Sequence, residues 1–231
     1  MNILFVTANR IGDAVLSSGL LGHLIATHPE ADITVACGPS VTPLFAATPN
    51  ISRIILMRKQ PAAGHWFHLW RETVTTAWDL VVDLRSSALA WLLPAKTRRV
   101  LHKSDAPEHR IALYARVLGL TQPAAPKIWI SDEHRQAARG LIPNRAPVLA
   151  LGPAANWGAK QWPADSFVEL TRRLTAPGCD LAGSRVAIFG AAHERTIAQP
   201  IVTAFDADRI LDLVGKTDLL TAYACLERCA L

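Results

Sequence analysis

The stretch from Asn2 to Leu21, NILFVTANRIGDAVLSSGLL, decides the fold of this 231-residue chain. Its first part, Ile3–Val6, is an unbroken apolar run, which is typical of a strand buried on both faces of a parallel sheet. Apolar residues then recur at helical spacing from Val15 onward, so the sequence predicts a helix behind a polar turn. Asp13 therefore lies where the carboxyl end of a strand meets the amino end of a helix, the usual ligand position in open α/β sheets.

The polar residues of this turn have two interpretations. In the first, Asp13 only caps the helix. In the second, the carboxylate of Asp13 beside the positive charge of Arg10 forms a functional site, and Gly12 lets the backbone approach a ligand closely. The turn alone favours capping, so the choice depends on motifs further along the chain.

The composition limits the class of protein. The length allows one large domain or two small ones, and half of the residues are hydrophobic, enough for a substantial core. Lys and Arg number 24 against 19 for Asp and Glu, a net charge of +5. That excess suits phosphate-bearing ligands or an anionic membrane surface. No basic run is interleaved with stacking aromatic residues, so nucleic acid is not expected as a partner.

The sequence also predicts a soluble, cytoplasmic protein. Arg10 and Asp13 interrupt the apolar start of the chain, which does not resemble a signal peptide. Cys225 and Cys229, one helical turn apart, are either small buried thiols, the favoured interpretation, or half of a metal site. The absence of paired spacing suits a reducing compartment for all four cysteines: Cys37, Cys179, Cys225 and Cys229.

Strand-like and helix-like segments alternate along both halves, which indicates doubly wound parallel sheets. Prolines between residues 121 and 147 predict a joint between a first domain, 1–140, and a second, 147–231. The predicted strands are Asn2–Val6, Asp32–Ala36, Ile51–Leu56, Leu80–Leu84, Arg99–His102, Lys127–Ile130, Val148–Leu151, Arg185–Phe189 and Ile210–Val214. The predicted helices or turns are Val41–Ala47, Trp66–Ala77, Ser86–Leu93, His109–Leu118, Asp132–Gly140, Ala164–Leu174, His193–Phe205 and Asp218–Leu231.

A second informative stretch, Leu151–Pro163 (LGPAANWGAKQWP), again follows an apolar strand and precedes a helix. Lys160 there, near backbone N–H groups and a helix amino terminus, suits a phosphate or diphosphate; the alternative is an exposed loop lysine. The stretch is not a P-loop, because five residues separate Gly152 from Gly158 and no Ser or Thr follows the lysine. A G-x-G-x-x-G after the first strand is also missing, which argues against a dinucleotide enzyme.

Together these stretches resemble the heptosyltransferase-type glycosyltransferases, glycosyltransferase family 9. The matching segments, in the family's order, are RIGDAVLSSGLL (Arg10–Leu21), WDLVVDLRSS (Trp78–Ser87), GPAANWGAKQWPADSF (Gly152–Phe167), IFGAAHE (Ile188–Glu194) and LVGKTDL (Leu213–Leu219). The resemblance implies an α/β protein of the GT-B fold, with two Rossmann-like doubly wound domains facing each other across a cleft. It also implies inverting, metal-independent transfer of a heptose or related sugar from an ADP-sugar to lipopolysaccharide core.

The resemblance assigns roles to individual residues. Asp13 matches the general base, and Lys160 matches the lysine on the donor diphosphate. The other donor-binding residues implied are Gly12, Asn156 and Glu194, the last on the ribose. Apart from the resemblance, the basic residues of the first domain are candidate contacts to an acidic or phosphorylated acceptor, the alternative being a solvated basic surface: Arg10, Arg58, Lys59, Arg85, Arg98, Arg99 and Lys103. No metal and no cofactor are expected beyond the nucleotide-sugar co-substrate, ADP-heptose.

One departure leaves a second hypothesis open. The family carries a further Asp-Ser/Thr-Gly-x-x-His motif, and the chain ends at Leu231 where the strand bearing it would begin. The second domain is therefore expected to be incomplete. The alternative to a transferase is a catalytically inactive protein that binds a sugar nucleotide or glycolipid. The partners implied are the donor, a lipopolysaccharide core or lipid A acceptor, and the inner face of the inner membrane. Trp66, Phe67 and Trp70 either touch that membrane or are buried.

Overall fold

The computed structural model describes residues 1–102, 108–143 and 147–231, which form two compact units, Met1–Trp129 and Ile130–Leu231. Lys103, one of the predicted acceptor contacts, lies outside the described residues. The boundary between the units falls between Trp129 and Ile130, whereas the sequence predicted that the first domain extends to residue 140. In the described part of the chain, no helix is both long and apolar enough to cross a membrane.

The first unit is built on a five-stranded parallel sheet in the order β3-β2-β1-β4-β5. Its strands are β1 Asn2–Val6, β2 Asp32–Cys37, β3 Ile51–Leu56, β4 Trp78–Asp83 and β5 Ala95–Val100. Its α-helices are α1 Ile11–Thr27, α2 Gly64–Thr73, α3 Leu89–Leu92 and α4 Arg110–Val117. Thr42–Phe45 and Pro61–Ala63 form short 3-10 helices.

β1 is the central strand, as the apolar run predicted. Leu4 and Val6 pack in one cluster with Leu69 of α2 and Leu89 of α3. Successive side chains of a strand point to opposite faces, so Ile3 and Phe5 face the other side, where they are equally inaccessible to solvent. Burial on both faces explains why this strand carries no polar residue between Ile3 and Val6.

The second unit contains a three-stranded parallel sheet in the order β6-β7-β8. The strands are β6 Val148–Leu151, β7 Arg185–Ile188 and β8 Ile210–Asp212. The α-helices are α5 Asp132–Leu141, α6 Ala164–Leu174, α7 Arg195–Val202 and α8 Leu219–Leu226, and 3-10 helices occupy Gly158–Lys160 and Ala192–Glu194. The core joins Leu149 and Ile188 of the sheet to Val168 of α6 and Ile201 of α7.

α5 belongs to this second unit because it packs against α8. Arg228, just beyond α8, donates a hydrogen bond from its Nε to the carbonyl oxygen of Ile142 at 2.8 Å. Ala138 and Ile142 are buried accordingly. Pro143 and Pro147 therefore lie within the second unit and not at its beginning.

Several predicted elements differ from the structure in their bounds, and one differs in type. Lys127–Ile130 is not a strand, because the backbone N–H of Lys127 donates to the Ser18 hydroxyl of α1 at 2.9 Å instead of to a sheet. β5 begins at Ala95, earlier than predicted. The last helix ends at Leu226, and the backbone N–H of Ala230 donates to the carbonyl oxygen of Val148 at 2.8 Å, so the chain runs beside β6 there.

Gly19 of α1 lies where the helix meets the segment before Lys127. A Cβ built on Gly19 would stand 2.3 Å from the carbonyl oxygen of Ala124, far inside the contact distance of two atoms. A Cβ on Gly22, one turn later on the same helix, would meet its nearest neighbours at an ordinary 3.6 Å. The first glycine is thus required by packing, while the second is not.

We expect Gly19→Ala to lower the free energy of unfolding by about 2 kcal/mol, because overpacking against backbone forces the helix or the segment to move. Gly22→Ala is the matched control and should be neutral or stabilising by up to about 1 kcal/mol, since alanine has the higher helix propensity. Urea unfolding of both variants measures the difference. Equal stability of the two would contradict the close approach at Gly19.

Candidate functional site

The turn between β1 and α1 places Asp13 in the first turn of the helix, behind the central strand. Arg10 is the N-cap residue, with extended backbone angles (φ −96°, ψ 136°) and no side-chain capping bond. The capping interpretation of Asp13 is therefore wrong in its strict form, although a carboxylate in the first turn still stabilises the helix dipole. Gly12 is exposed, and a Cβ on it would meet nothing within 4 Å. The space in front of this turn is open.

Asp13 has a different cationic partner from the one predicted. Its Oδ1 lies 3.9 Å from Nε of Arg110, which begins α4. Arg10 is exposed and makes no ion pair in the described part of the chain. The carboxylate keeps 32% of its side-chain surface in solvent. No local pattern pointed to Arg110, because the contact joins residues far apart in the chain.

Tyr114, one turn after Arg110, reports the charges of this pair. Its ring lies 5.9 Å from the Arg110 guanidinium and is buried. Burial raises the pKa of Tyr114, the negative charge of Asp13 raises it further, and the positive charge of Arg110 opposes both. The three side chains therefore interact electrostatically as one group.

The loops that follow β1 and β4 are joined by Arg85. Its Nη1 donates to Oδ1 of Asn9, in the β1 loop, at 3.1 Å. Ser40, in the β2 loop, donates from Oγ to the carbonyl oxygen of Asn9 at 2.9 Å. Gly38 allows this approach, because a Cβ there would lie 2.8 Å from Asn9. The Asn9 contacts thus fix the turn that carries Asp13 at the point where the strand order of the sheet reverses, the ligand crevice of doubly wound folds.

Asp83 is a structural carboxylate that sequence reasoning did not single out. It is fully buried at the end of β4 and accepts hydrogen bonds from the backbone N–H groups of Arg85 (2.7 Å) and Ser87 (2.8 Å). Ser86 between them has a left-handed backbone (φ 55°). Side-chain to backbone bonds of this kind are characteristic of Asx turns. Asp83 therefore stabilises the conformation of the loop that positions Arg85.

Arg85 also borders an open cavity of about 590 Å³. Its guanidinium lies 4.8 Å from the centre of the Trp66 ring, a cation–π contact. Burial lowers the pKa of Arg85, and the Asp83 carboxylate partly offsets the effect. The remaining wall is largely apolar and includes Trp70, Leu89 and Leu92. The cavity therefore presents one cation beside aromatic surface.

The other predicted acceptor cations divide into two groups. Arg58 and Lys59 are exposed in the loop after β3, at the same edge of the sheet as Asn9. Arg98 does not belong to a binding surface, because its guanidinium donates to the carbonyl oxygens of Ala90, Leu93 and Ala95 at 2.6–2.9 Å. Arg99 alternates with Arg98 and faces the other side of the sheet, in a groove with His23 of α1. The structure thus separates Arg98 and Arg99 from the Asp13 turn.

In the second unit, the loop after β6 carries Asn156 and Lys160, and both are exposed. The loop is held in shape by Gln161, whose Nε2 donates to the carbonyl oxygen of Ala155 at 2.6 Å. Lys160 lies in a 3-10 turn four residues before α6, and its ammonium group has no hydrogen bond or ion pair within the described ranges. A cation before a helix amino terminus suits an anionic ligand.

Glu194 lies in the loop after β7, at the same edge of this sheet as Lys160, because all three strands are parallel. Its Oε2 accepts a hydrogen bond from the backbone N–H of Ala191 at 2.7 Å. One carboxylate oxygen therefore holds the loop itself. The ribose contact that the resemblance implies stays a prediction for the other oxygen.

The loop after β8 adds a group that sequence reasoning did not include. Gly215 has a left-handed backbone (φ 73°), and a Cβ there would lie 2.9 Å from Cβ of Ala192. This close contact packs the β8 loop against the β7 loop and brings Lys216 to the same edge, where it is exposed.

Burial raises the pKa of Asp212, but the hydrogen bonds from Arg195 and Val214 and the charges of Arg195 and Lys216 outweigh it, so the pKa is lowered. The LVGKTDL motif was the available signal for Lys216.

Across residues 1–102, 108–143 and 147–231, no three His, Cys, Asp or Glu side chains gather to hold a metal ion. Asp206 and Asp208 lie before β8, at the edge of the sheet opposite Lys160. Burial raises the pKa of Cys229 to about 11, and its thiol donates to the carbonyl oxygen of Cys225, as expected of a structural cysteine.

A model of glycosyltransferase family 9 (heptosyltransferase) matches residues 66–231. The chain belongs to this family. The match confirms the resemblance drawn from the sequence motifs, and its range contains Arg85, Lys160 and Lys216. It begins after Asp13, whose role it therefore does not test.

Full-length relatives of the family agree over nearly the whole chain. Lipopolysaccharide heptosyltransferase 2 of Salmonella typhimurium is 24% identical over 99% of this chain and 75% of its own length. A family 9 glycosyltransferase structure from Veillonella parvula has a TM-score of 0.81 at 20% identity and covers 100% of this chain and 73% of its own. The structure of Escherichia coli ADP-heptose lipopolysaccharide heptosyltransferase II has a TM-score of 0.73 at 22% identity. It covers 99% of this chain and 77% of its own. The similarity confirms the predicted GT-B fold class of two Rossmann-like α/β units.

The pKa of Tyr114 offers a test of the Asp13–Arg110 pair. Asp13→Asn removes a negative charge that raises this pKa, so we expect it to fall. Arg110→Gln removes a positive charge that lowers it, so the pKa should rise. Ultraviolet titration of tyrosinate measures both shifts. The second of the two tyrosines is removed beforehand by Tyr223→Phe. Shifts of the same sign in the two variants would contradict the pairing.

Proposed function

We propose that this chain transfers a heptose from ADP-heptose to a sugar of a lipopolysaccharide core acceptor. The observation that carries the proposal is the Asp13 carboxylate, partly open to solvent in the first turn of the helix behind the central strand, in a chain of the heptosyltransferase family. Two of the relatives described above, from Salmonella typhimurium and Escherichia coli, are named as lipopolysaccharide heptosyltransferases. A partly exposed carboxylate can accept a proton from a hydroxyl group without first breaking an internal hydrogen bond.

In the proposed reaction, Asp13 is the general base. It takes the proton of the acceptor hydroxyl as that oxygen attacks the anomeric carbon of the donor. The new carbon–oxygen bond forms opposite the bond to the diphosphate, which breaks and leaves with its electron pair as ADP. Attack from the opposite face inverts the anomeric centre. The proton ends on Asp13, and no covalent sugar–enzyme intermediate is required.

Lys160 is assigned to the departing diphosphate. Negative charge grows on this group in the transition state, and a nearby cation stabilises it. The ammonium group of Lys160 has no partner in the described part of the chain, and Lys216 lies at the same edge of the sheet. Two lysines supply the positive charge that a divalent ion would otherwise provide. The reaction is therefore proposed to be metal-independent, with the nucleotide-sugar as its only co-substrate.

The acceptor is assigned to the first unit, at the edge of the sheet that carries Asp13. Arg85, Arg58 and Lys59 offer positive charge there, and the cavity beside Arg85 offers aromatic surface. This combination suits an anionic glycolipid, whose phosphates or carboxylates pair with cations while its sugar rings stack on aromatic side chains. Such an acceptor places the protein at the cytoplasmic face of the inner membrane.

Asp13→Asn tests the general base. We expect the turnover number for heptose transfer to a heptose-deficient lipopolysaccharide to fall about 10²–10⁴-fold, the usual contribution of a positioned base. Asp132→Asn is the control, because Asp132 is a fully exposed aspartate in the first turn of α5 and should leave turnover unchanged. The transfer should persist in a chelating buffer. Wild-type binding of ADP-heptose with no transfer would instead support a sugar-nucleotide binding protein.

Lys160→Gln tests the diphosphate contact. Calorimetric titration with ADP should show about tenfold weaker binding or more, because a charge-assisted hydrogen bond is worth roughly 1.5–3 kcal/mol. Lys96→Gln is the matched control, since Lys96 pairs with Asp79 at the amino end of the first sheet. Unchanged ADP affinity in Lys160→Gln would refute the assignment of Lys160 while leaving that of Asp13 intact.

A further inference from the structure

Three large apolar side chains of the first unit are exposed close to one another. Phe67 of α2 has 64% of its surface in solvent, and Trp91 and Leu92 of α3 have 65% each. We call these three residues the α2–α3 patch. Single exposed hydrophobic residues are common on soluble proteins, but a contiguous group marks an interaction surface.

The patch continues into the cavity beside Arg85. Phe67 and Leu92 form part of its wall, together with Trp66 and Trp70. Phe67 stacks on Trp70 with ring centres 5.7 Å apart. Phe67 is therefore supported by an aromatic ring, and the three exposed side chains would bury further apolar surface on contact with a partner.

The charges around the patch are of one sign. Arg58 and Lys59 are exposed in the loop before α2, and Arg85 lies in the cavity wall. His65, at the start of α2, is affected by these charges. Burial makes the largest contribution to lowering its pKa, and the positive charges of Arg85 and Lys59 lower the pKa further. The segment from residue 57 to 93 offers no free negative charge to balance them. Its acidic residues are Glu72, paired with Arg53, Asp79, paired with Lys96, and the buried Asp83.

We propose that the α2–α3 patch docks on the surface of an anionic lipid bilayer. Tryptophan and phenylalanine favour the membrane interface, where an apolar ring meets polar headgroups. Basic side chains beside them are attracted to anionic lipid, and the apolar and electrostatic contributions add. The inference deepens the proposed function, on which it rests for its purpose: a lipid-linked acceptor is held at a bilayer, and docking would bring the Asp13 edge of the sheet to it.

Vesicle sedimentation tests the docking directly. Wild-type chain should bind vesicles of phosphatidylglycerol and phosphatidylcholine and bind pure phosphatidylcholine far more weakly. The triple variant Phe67→Ser, Trp91→Ser, Leu92→Ser should lose about tenfold or more of the vesicle affinity. Leu226→Ser is the control, because it removes an exposed leucine from the second unit. Lys59→Gln should weaken binding about fivefold at low salt and less at high salt. Far-ultraviolet circular dichroism verifies that each variant is folded.

Quenching of tryptophan fluorescence by brominated lipid identifies the surface that enters the bilayer. Wild-type fluorescence should be quenched by brominated phosphatidylglycerol vesicles, and Trp91→Phe should remove much of that quenching while binding is retained. Quenching that is undiminished in Trp91→Phe would overturn the proposal. So would equal vesicle binding by the triple variant and the wild-type chain. A wild-type dimer in sedimentation that becomes a monomer in the triple variant, without vesicle binding, would identify a second copy as the occupant and also overturn it.

The vesicle experiments contain no sugar donor and no glycolipid acceptor. Asp13→Asn should bind vesicles as the wild-type chain does. Failure of heptose transfer with intact vesicle binding would remove the proposed function and leave the docking surface. Intact heptose transfer with no vesicle binding would overturn the docking surface and leave the proposed function.

Discussion

The positions of Asp13 and Arg85 in the first unit depend on the pairing of β1 with its two neighbours, β2 and β4. Beyond the end of the strand, the backbone N–H of Thr7 donates to the carbonyl oxygen of Ala36 at 2.9 Å, and that of Leu84 donates to Val6 at 2.9 Å. These bonds extend the sheet by one residue on each side and set where the β1 and β4 loops leave it. Asp13 and Arg85 are therefore positioned by backbone hydrogen bonds before any side-chain contact is made. Buried backbone groups must be paired, so this register cannot slip without cost.

Local sequence was sufficient wherever burial alone decides structure. β1 was predicted with its exact bounds because four consecutive apolar residues fit only a strand covered on both faces. Side-chain partners were not predictable in the same way. Arg98 resembled a surface cation in the sequence, yet its guanidinium is occupied by three carbonyl groups around α3. Arg110 had no feature that distinguished it from other arginines. Its role follows from the packing of α4 against α1, which is a property of the tertiary fold.

The second unit applies the same construction with a shorter sheet. Its three loops leave one edge together because the strands are parallel, and the close contact at Gly215 packs two of them side by side. Glu194 and Asp212 are each engaged by local donors, Ala191 N–H and Arg195 respectively. The lysines of this edge, Lys160 and Lys216, remain exposed. The two carboxylates thus bind groups of the protein itself, whereas the two lysines are exposed to solvent, and this arrangement supports the diphosphate contact proposed for Lys160.

The distance between Asp13 Oδ1 and Arg110 Nε likewise leaves a charged group available to a ligand, in this case the Asp13 carboxylate. At 3.9 Å the contact is an ion pair without a hydrogen bond, since N–H···O bonds rarely exceed about 3.2 Å. A tightly hydrogen-bonded carboxylate would have its lone pairs committed and would be a poor base. The observed arrangement places the Arg110 guanidinium beside the carboxylate and leaves both Asp13 oxygens without a hydrogen bond in the described part of the chain. The Asp13 carboxylate is therefore available for the proton transfer proposed above, and Arg110 at the first position of α4 does not occupy its oxygens with a hydrogen bond.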